Sequence, residues 1–323
     1  FKPSLPLLDK VVMRVIPDAG TRVLALGNGE VDLTHEREGF GPDNSRLRAA
    51  PDIRMLAGPW TPGGANCLMT VSFNLDRPLL QDVRVRRAVA HALDRQRFFD
   101  GILFGQGAVA TAPISSGIRW AHAAGVSVPR FDPSEAERLL DASGWKRQGG
   151  RHRVAESVPG VPVGTPLKID FVFFPAFLQY GELMRQQLGV VGVDVELRPL
   201  DPTAFPGPVF RDRNFDTNLI RYCHGTDPEI GVRRMFDSRE IGPTPFTNAA
   251  GYRNPRVDSL LESASRTIDE QQRATLYREL QEIVVSDLPY LWIVETVGAW
   301  AHSDRCSGFR IHTGLFLESA SCR

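Results

Sequence analysis

The densest run of side chains able to do chemistry is Ile220-Arg221-Tyr222-Cys223-His224-Gly225-Thr226-Asp227-Pro228. It offers a fixed cation in Arg221, a phenol in Tyr222, a thiol in Cys223, an imidazole in His224 and a carboxylate in Asp227. A neutral imidazole brings one donor and one acceptor without a fixed negative charge, which suits His224 to orienting a polar group. Asp227, directly before Pro228, fits a turn or helix cap as well as a ligand contact. Arg221 and Tyr222 fall on opposite faces if the run ends a strand, and the sequence leaves open which of them points outward.

Catalytic signatures do not accompany this run. The sequence contains no G-x-S-x-G elbow, no H-E-x-x-H pair and no Walker lysine loop, and Gly105-Gln106-Gly107 lacks a third glycine. The seven histidines (His35, His91, His122, His152, His224, His302 and His312) show no ligand spacing, so no metal or cofactor is expected. The four cysteines, Cys67, Cys223, Cys306 and Cys322, form no C-x-x-C pair. They fit one or two disulfides in an oxidising compartment, with Cys306 and Cys322 closest in sequence, or unpaired buried thiols. Lys plus Arg (38) balance Asp plus Glu (38), which leaves no basic field for nucleic acid or an anionic membrane. The most apolar stretch, Leu288 to Ala301, is interrupted by Pro289 and Glu295 and falls short of the ~20 residues of a membrane span. No basic segment with an apolar run opens the chain, so no secretory signal is visible, and an exported protein loses one by cleavage.

The elements that must hold these residues alternate between strand and helix. With 323 residues, 42% of them hydrophobic, the chain can build about two domains. Val11, Met13 and Val15 alternate as a strand, Ala19 to Leu26 suit a helix, and Glu30-Val31-Asp32-Leu33 suit a short strand. Leu68 to Phe73 add strand material. From Asp82 the spacing of Val85, Ala88, Val89, Ala92 and Leu93 predicts a helix, with Arg84, Arg86 and Arg87 on its solvated face. Asp94 and Asp132-Pro133 cap two further helices, and Gly105 to Pro129 reads as a long irregular loop. Leu167 to Phe173, a helix through Tyr180 and Leu188, and Val193 to Leu197 form a βαβ unit, so the class is α/β with a mixed or parallel sheet. Phe215 to Ile220 is the strand before the chemically dense run. Asn254-Pro255 and Asp269 open two late helices, and Trp145, Trp292 and Trp300 sit in core-like motifs.

Four blocks recur in one order along the chain. Phe73-Asn74 precedes Asp82-Val83-Arg84-Val85-Arg86-Arg87-Ala88 with Ala92-Leu93-Asp94-Arg95. Asp132-Pro133 leads to Leu139-Leu140 and Gly144-Trp145. His224-Gly225-Thr226-Asp227-Pro228 follows, and Tyr252-Arg253-Asn254-Pro255-Arg256-Val257-Asp258 with Leu276-Tyr277 closes the series. In this order the chain resembles the solute-binding proteins of bacterial ABC importers, the dipeptide and oligopeptide-binding family 5.

The resemblance implies a periplasmic-binding-protein-like two-lobe fold with mixed sheets. Residues 1–74 and 290–323 would form the remaining part of a discontinuous first lobe, and residues 75–289 an inserted second lobe. Because Gly29 to Leu33 sits well inside full-length relatives, the first lobe is expected to be incomplete. The implied function is capture of a peptide or similar small polar solute between the lobes and its delivery to ABC permease subunits. The protein would lie peripheral to the membrane, at the periplasmic or extracellular face of a bacterial cell. In such relatives the loop matching Arg221 to Asp227 faces the cleft. An aspartate that holds the peptide amino group is replaced here by His224, and the aromatic of that loop by Arg221. The ligand-binding candidates are therefore His224, Tyr222, Arg221, Cys223 and Asp227, together with Trp60, which would stack on a solute near the lobe crossover. The competing reading is an α/β enzyme with its active site in the cleft.

Overall fold

Cys67–Phe73 and Tyr290–Thr296 are buried at every position, the pattern of strands covered on both faces rather than of half-buried alternating ones. They form the centre of the structure, a computed structural model that describes residues 4–37, 39–56, 66–126, 128–150, 152–311 and 315–323. The chain begins with α1 (Ala19–Gly27), β1 (Leu33–Glu36), α2 (Asn44–Ala49) and β2 (Ile53–Met55). The central β3 (Cys67–Phe73) leads into α3 (Pro78–Gln81), α4 (Val83–Ala92), α5 (Arg95–Gly101), β4 (Ala108–Val109) and α6 (Pro133–Ala142). A hairpin of β5 (Trp145–Gln148) and β6 (His152–Ala155) precedes β7 (Lys168–Phe173), α7 (Leu178–Val190) and β8 (Asp194–Pro199). Next come β9 (Thr217–Cys223), α8 (Pro228–Gly231), α9 (Arg233–Phe236), α10 (Pro255–Arg266) and α11 (Glu270–Asp287), then β10 (Tyr290–Thr296) and β11 (Ala299–Ser303).

Two sheets result. The larger has the order β4-β10-β3-β9-β7-β8. In it β7 runs parallel to β8 and β9 and the remaining pairs are antiparallel, so it is mixed. The smaller, β1-β11-β2, is antiparallel. The helix starts follow their caps: Asp82 accepts from the Arg84 amide, Asp94 from Gln96, Asp132 from Glu135, Asn254 from Arg256 and Asp269 from Gln272. Each such cap contributes about 1 kcal/mol.

The hydrophobic interior splits as the sheets do. A large cluster includes Leu68, Val71 and Phe73 of β3 and Leu291 to Val294 of β10. A small one joins Val23, Leu26, Phe40, Leu47, Ile53, Ala299 and Ala301. Both β3 and β10 therefore belong to the large sheet, because they pair with each other and β3 pairs with β9 over its whole length. The expected boundaries at 74/75 and 289/290 thus lie at the ends of two strands that share one sheet and one hydrophobic cluster.

Several local expectations differ. Val11, Met13 and Val15 are exposed and lie in no strand, since alternation marks a face that could be buried but supplies no neighbour to pair with. The short strand after α1 begins at Leu33 rather than Glu30. Trp145 and Trp292 are core residues, whereas Trp300 is half-buried and stacks on His35 with centroids 4.1 Å apart. Arg86 is buried, not solvated. It donates to the carbonyls of Leu80 (2.6 Å), Gln81 (2.8 Å), Asp287 (2.5 Å) and Leu288 (3.0 Å), which close α3 and α11.

Candidate functional site

One end of the large sheet meets the small sheet. Thr296, Cys67 and Cys223 are register neighbours across β10, β3 and β9 at that end, and Cys67 and Cys223 are joined by a disulfide. The chain passes from β10 through Val297-Gly298 into β11 of the small sheet, so polar groups beyond Cys67 and Cys223 collect at the seam between the two bodies.

Hydrogen bonds tie three loops together there. Asn66, held at φ 45°, accepts from the His224 amide at 3.1 Å through its carbonyl and donates its Nδ2 to the Gly225 carbonyl at 2.6 Å. The Ser115 amide donates to His224 Nδ1 at 3.3 Å. The buried Glu295 carboxylate accepts through Oε2 from Ser115 Oγ (2.9 Å), the Ser116 amide (3.0 Å) and Ser116 Oγ (3.0 Å). Buried carboxylates survive only with such partners. Gly117 is required by this packing, because a Cβ there would lie 2.0 Å from Asn66 Oδ1.

The dense run of β9 and its loop divides between interior and seam. Tyr222 is fully buried and donates its hydroxyl to the Thr247 carbonyl at 2.8 Å; burial pushes its pKa well above the ordinary tyrosine value. His224 is also fully buried, and burial, helped by the Arg234 charge, pushes its pKa down to about 3, so the ring is neutral. Neither side chain presents an atom to solvent. Cys223 is consumed by its disulfide. Asp227 caps α8 by accepting from the Glu229 amide at 2.9 Å and is gripped by Arg273 through Nη1 at 2.9 Å and Nη2 at 2.7 Å. Burial raises the Asp227 pKa, but the bonds from Arg273 and the Glu229 amide outweigh it and lower the value overall. Arg273 in turn lies over the rings of Trp120 (4.9 Å) and Tyr277 (5.8 Å). Arg221 alone of the run points across the seam: half-buried, it donates Nη1 to the Arg37 carbonyl at 3.5 Å. Trp60 lies outside the described residues.

Sequence reasoning missed the small-sheet side of the seam. His35, beside Gly298 and under Trp300, has its pKa pushed down to about 4 by burial and then by the charges of Arg37, Arg221 and Arg22. Gln106 bridges the bodies: its Oε1 accepts from the Phe40 amide and its Nε2 donates to the Gly41 carbonyl, both at 3.1 Å. Beside it a cavity of about 250 Å³ is lined by Asn44, Met55, Phe104, Val297 and Gly298 among others. Glu295, Ser115 and Asn66 were equally invisible, because their partners lie up to 180 residues away. The only local hint was the run of small residues Ser115-Ser116-Gly117 inside a loop that is otherwise irregular.

A mixed sheet covered by helices, joined through a short crossover to a smaller sheet with a polar seam between them, is the two-lobe α/β architecture of periplasmic binding proteins. The chain belongs to the bacterial extracellular solute-binding proteins, family 5: the family's description "Bacterial extracellular solute-binding proteins, family 5 Middle" matches residues 1–242. It is 24% identical over 343 aligned positions to the glutathione-binding protein GsiB of Salmonella typhimurium, covering 100% of this chain and 60% of that protein. It is likewise 24% identical over 318 positions to the oligopeptide-binding protein AppA of Bacillus subtilis, covering 95% and 54%. The fold superposes on the structure of that AppA in complex with a nonapeptide with a TM-score of 0.81 at 20% identity, over 96% of this chain and 59% of the other. NikA from Brucella suis, solved with Fe(III)-EDTA, gives 0.79 at 22% identity over 96% and 61%. The chain thus spans between half and about three-fifths of the length of these relatives.

Proposed function

We propose that this chain is the solute-gripping part of the binding component of a bacterial ABC importer. It holds a peptide or similar small polar solute at the seam between its two bodies and passes it to membrane permease subunits. It works at the periplasmic or extracellular face of the cell and binds without converting what it holds. The observation that carries this reading is the seam itself, in a chain of the solute-binding family: two bodies with separate interiors meet at a set of polar loops. A ligand touching both bodies favours their closed arrangement by the contacts it makes only there. Within this reading Arg221 and the backbone of Gly225-Thr226 face the solute. Tyr222, Cys223, His224 and Asp227 hold that loop from behind, and Trp60 keeps the stacking role expected for it. The fixed, partnered state of Asp227 and the buried neutral His224 support a scaffold rather than an acid–base pair.

The reading is tested by calorimetric titration of short peptides into the protein, with mass spectrometry of the recovered ligand. Saturable binding with ligand returned unchanged is expected. Any turnover product would instead favour an enzyme.

A further inference from the structure

The cavity of about 250 Å³ beside Gln106 lies on a different flank of the seam from the β9 loop. In the large sheet the two strands joined to the small one, β10 and β3, stand between β4 and β9. Arg221 ends β9 on one side of that pair, and the loop Phe104 to Gly107 enters β4 on the other. This loop holds Phe104 at φ 50° and Gly105 at φ 74°, through bonds from the Gly105 amide to the Phe99 carbonyl (3.2 Å) and from the Gln106 amide to the Leu103 carbonyl (2.9 Å). A residue with a Cβ rarely adopts such a φ. The Phe104 ring recovers little of that strain by packing, being 51% exposed. It lies against Gly41 of the other body, where an added Cβ would stand 3.6 Å from it. Strained residues of this kind gather at ligand clamps.

The other body contributes polarity that the fold does not use. Asn44 and Arg48 stand one turn apart on α2, hence on one face, and both line the cavity. Neither side chain has a hydrogen bond or ion pair among the described residues, and Arg48 is the only charged group among the described residues lining the cavity. The adjacent Asp43 pairs with Arg46 instead, at 3.4 Å. Met55 and Val297 add apolar surface.

We propose that this cavity is a second ligand site, separate from the solute site at the β9 loop, and that it takes a small aromatic carboxylate. The ring of the ligand stacks on Phe104 and meets the Met55 thioether, a favourable partner for an aromatic edge. Its carboxylate takes the Arg48 guanidinium, which matches it with two parallel bonds, and the Asn44 amide as a further donor. The space suffices, since an apolar cavity of about 150 Å³ already accepts benzene. An occupant touches both bodies and therefore bears on their relation from the flank opposite the β9 loop.

The test is titration of phenylacetate, its neutral isostere phenylacetamide, and acetate, followed by the backbone amide signals of the protein in nuclear magnetic resonance spectra. Phenylacetate is expected to saturate with a Kd of about 1 mM or tighter, shifting the amides of Gly105, Gln106 and Gly298. The amide and acetate should bind about tenfold more weakly, each lacking one half of the recognition. Arg48→Gln should erase the preference for acid over amide. Phe104→Gly should weaken phenylacetate about fivefold or more while leaving the urea midpoint unchanged or raised, because glycine adopts that φ freely. No saturation by about 10 mM overturns the proposal, as does phenylacetamide binding as tightly as phenylacetate. Unchanged affinity in both variants overturns it too, and so does a lower midpoint in Phe104→Gly, which would show the ring to serve the fold. Shifts confined to Gly225 and Thr226 would place the probe at the solute site, overturning the second site and leaving solute capture standing.

Discussion

His224 illustrates how a residue's neighbours in space decide its chemistry. Its position in a loop beside Asp227-Pro228 was legible, but its burial was not, because the groups that surround it come from the Ser115 amide, Asn66 and Arg234. With Nδ1 accepting from Ser115 and Nε2 without a hydrogen-bond partner among the described residues, protonation would place an unsolvated cation beside Arg234. The folded-state pKa of about 3 lies below the ordinary histidine value of 6.5, so between those values the unfolded chain binds the extra proton. Stability from this group is complete above pH 6.5 and is lost as pH falls toward 3, at about 1.4 kcal/mol for each unit of displacement. His35, lowered to about 4, adds in the same direction over a narrower window. Urea unfolding measured from pH 7 down to pH 4 should therefore show a steep loss of stability in the natural chain and a shallower one in His224→Gln, which keeps an acceptor but does not titrate. Equal slopes would mean that the imidazole is not held neutral by its surroundings.

Among the elements, those whose signals are local were legible and those that depend on distant partners were not. Asp82, Asp94, Asp132, Asn254 and Asp269 announced their helices because a cap bonds an amide only two or three residues on. The β7-α7-β8 unit was legible from its change of hydrophobic period. The membership of β3 and β10 in one sheet was not, since their pairing joins residues more than 200 apart. Arg86 was misread for the same reason: in α4 it is one arginine among three, and two of the four carbonyls it meets end a helix about 200 residues later. At that position a guanidinium satisfies the last carbonyls of α3 and α11 together, which fixes the two helix ends against α4. Burial lowers its pKa to about 10, so it stays charged at neutral pH. Replacing Arg86 with Met keeps the packing volume but strands four carbonyls, at a cost of about 3 kcal/mol or more. Chemical denaturation should register that loss, while Arg84→Met, on the exposed side of the same helix, should change stability by less than about 1 kcal/mol.

At the scale of the molecule the question is what holds two separate interiors in one arrangement. The large and small clusters share no buried residue, so the relation between the bodies rests on the two chain passages, from β2 to β3 and from β10 to β11, and on the contacts at the seam. Among these, Gln106 is the contact best suited to set the angle. Its amide pairs with the backbone of Phe40 and Gly41 on the other body, matching one donor and one acceptor at 3.1 Å each. Gly39 leaves the space that this amide occupies, since a Cβ there would stand 2.4 Å from Gln106 Oε1. The same side chain contributes little to either interior, being half-buried on a loop. Truncation by Gln106→Ala should accordingly leave each body folded and loosen the seam. Hydrogen exchange at the Phe40 amide should accelerate by about tenfold or more, the loss of a single net hydrogen bond at an opened site. Amides of β3 and β10 should keep their protection, and small-angle scattering should report a larger radius of gyration. If Phe40 exchange and the scattering profile both stay as they are in the natural chain, Gln106 is a passive neighbour, and the bodies are fixed by the chain passages between the sheets and the other seam contacts.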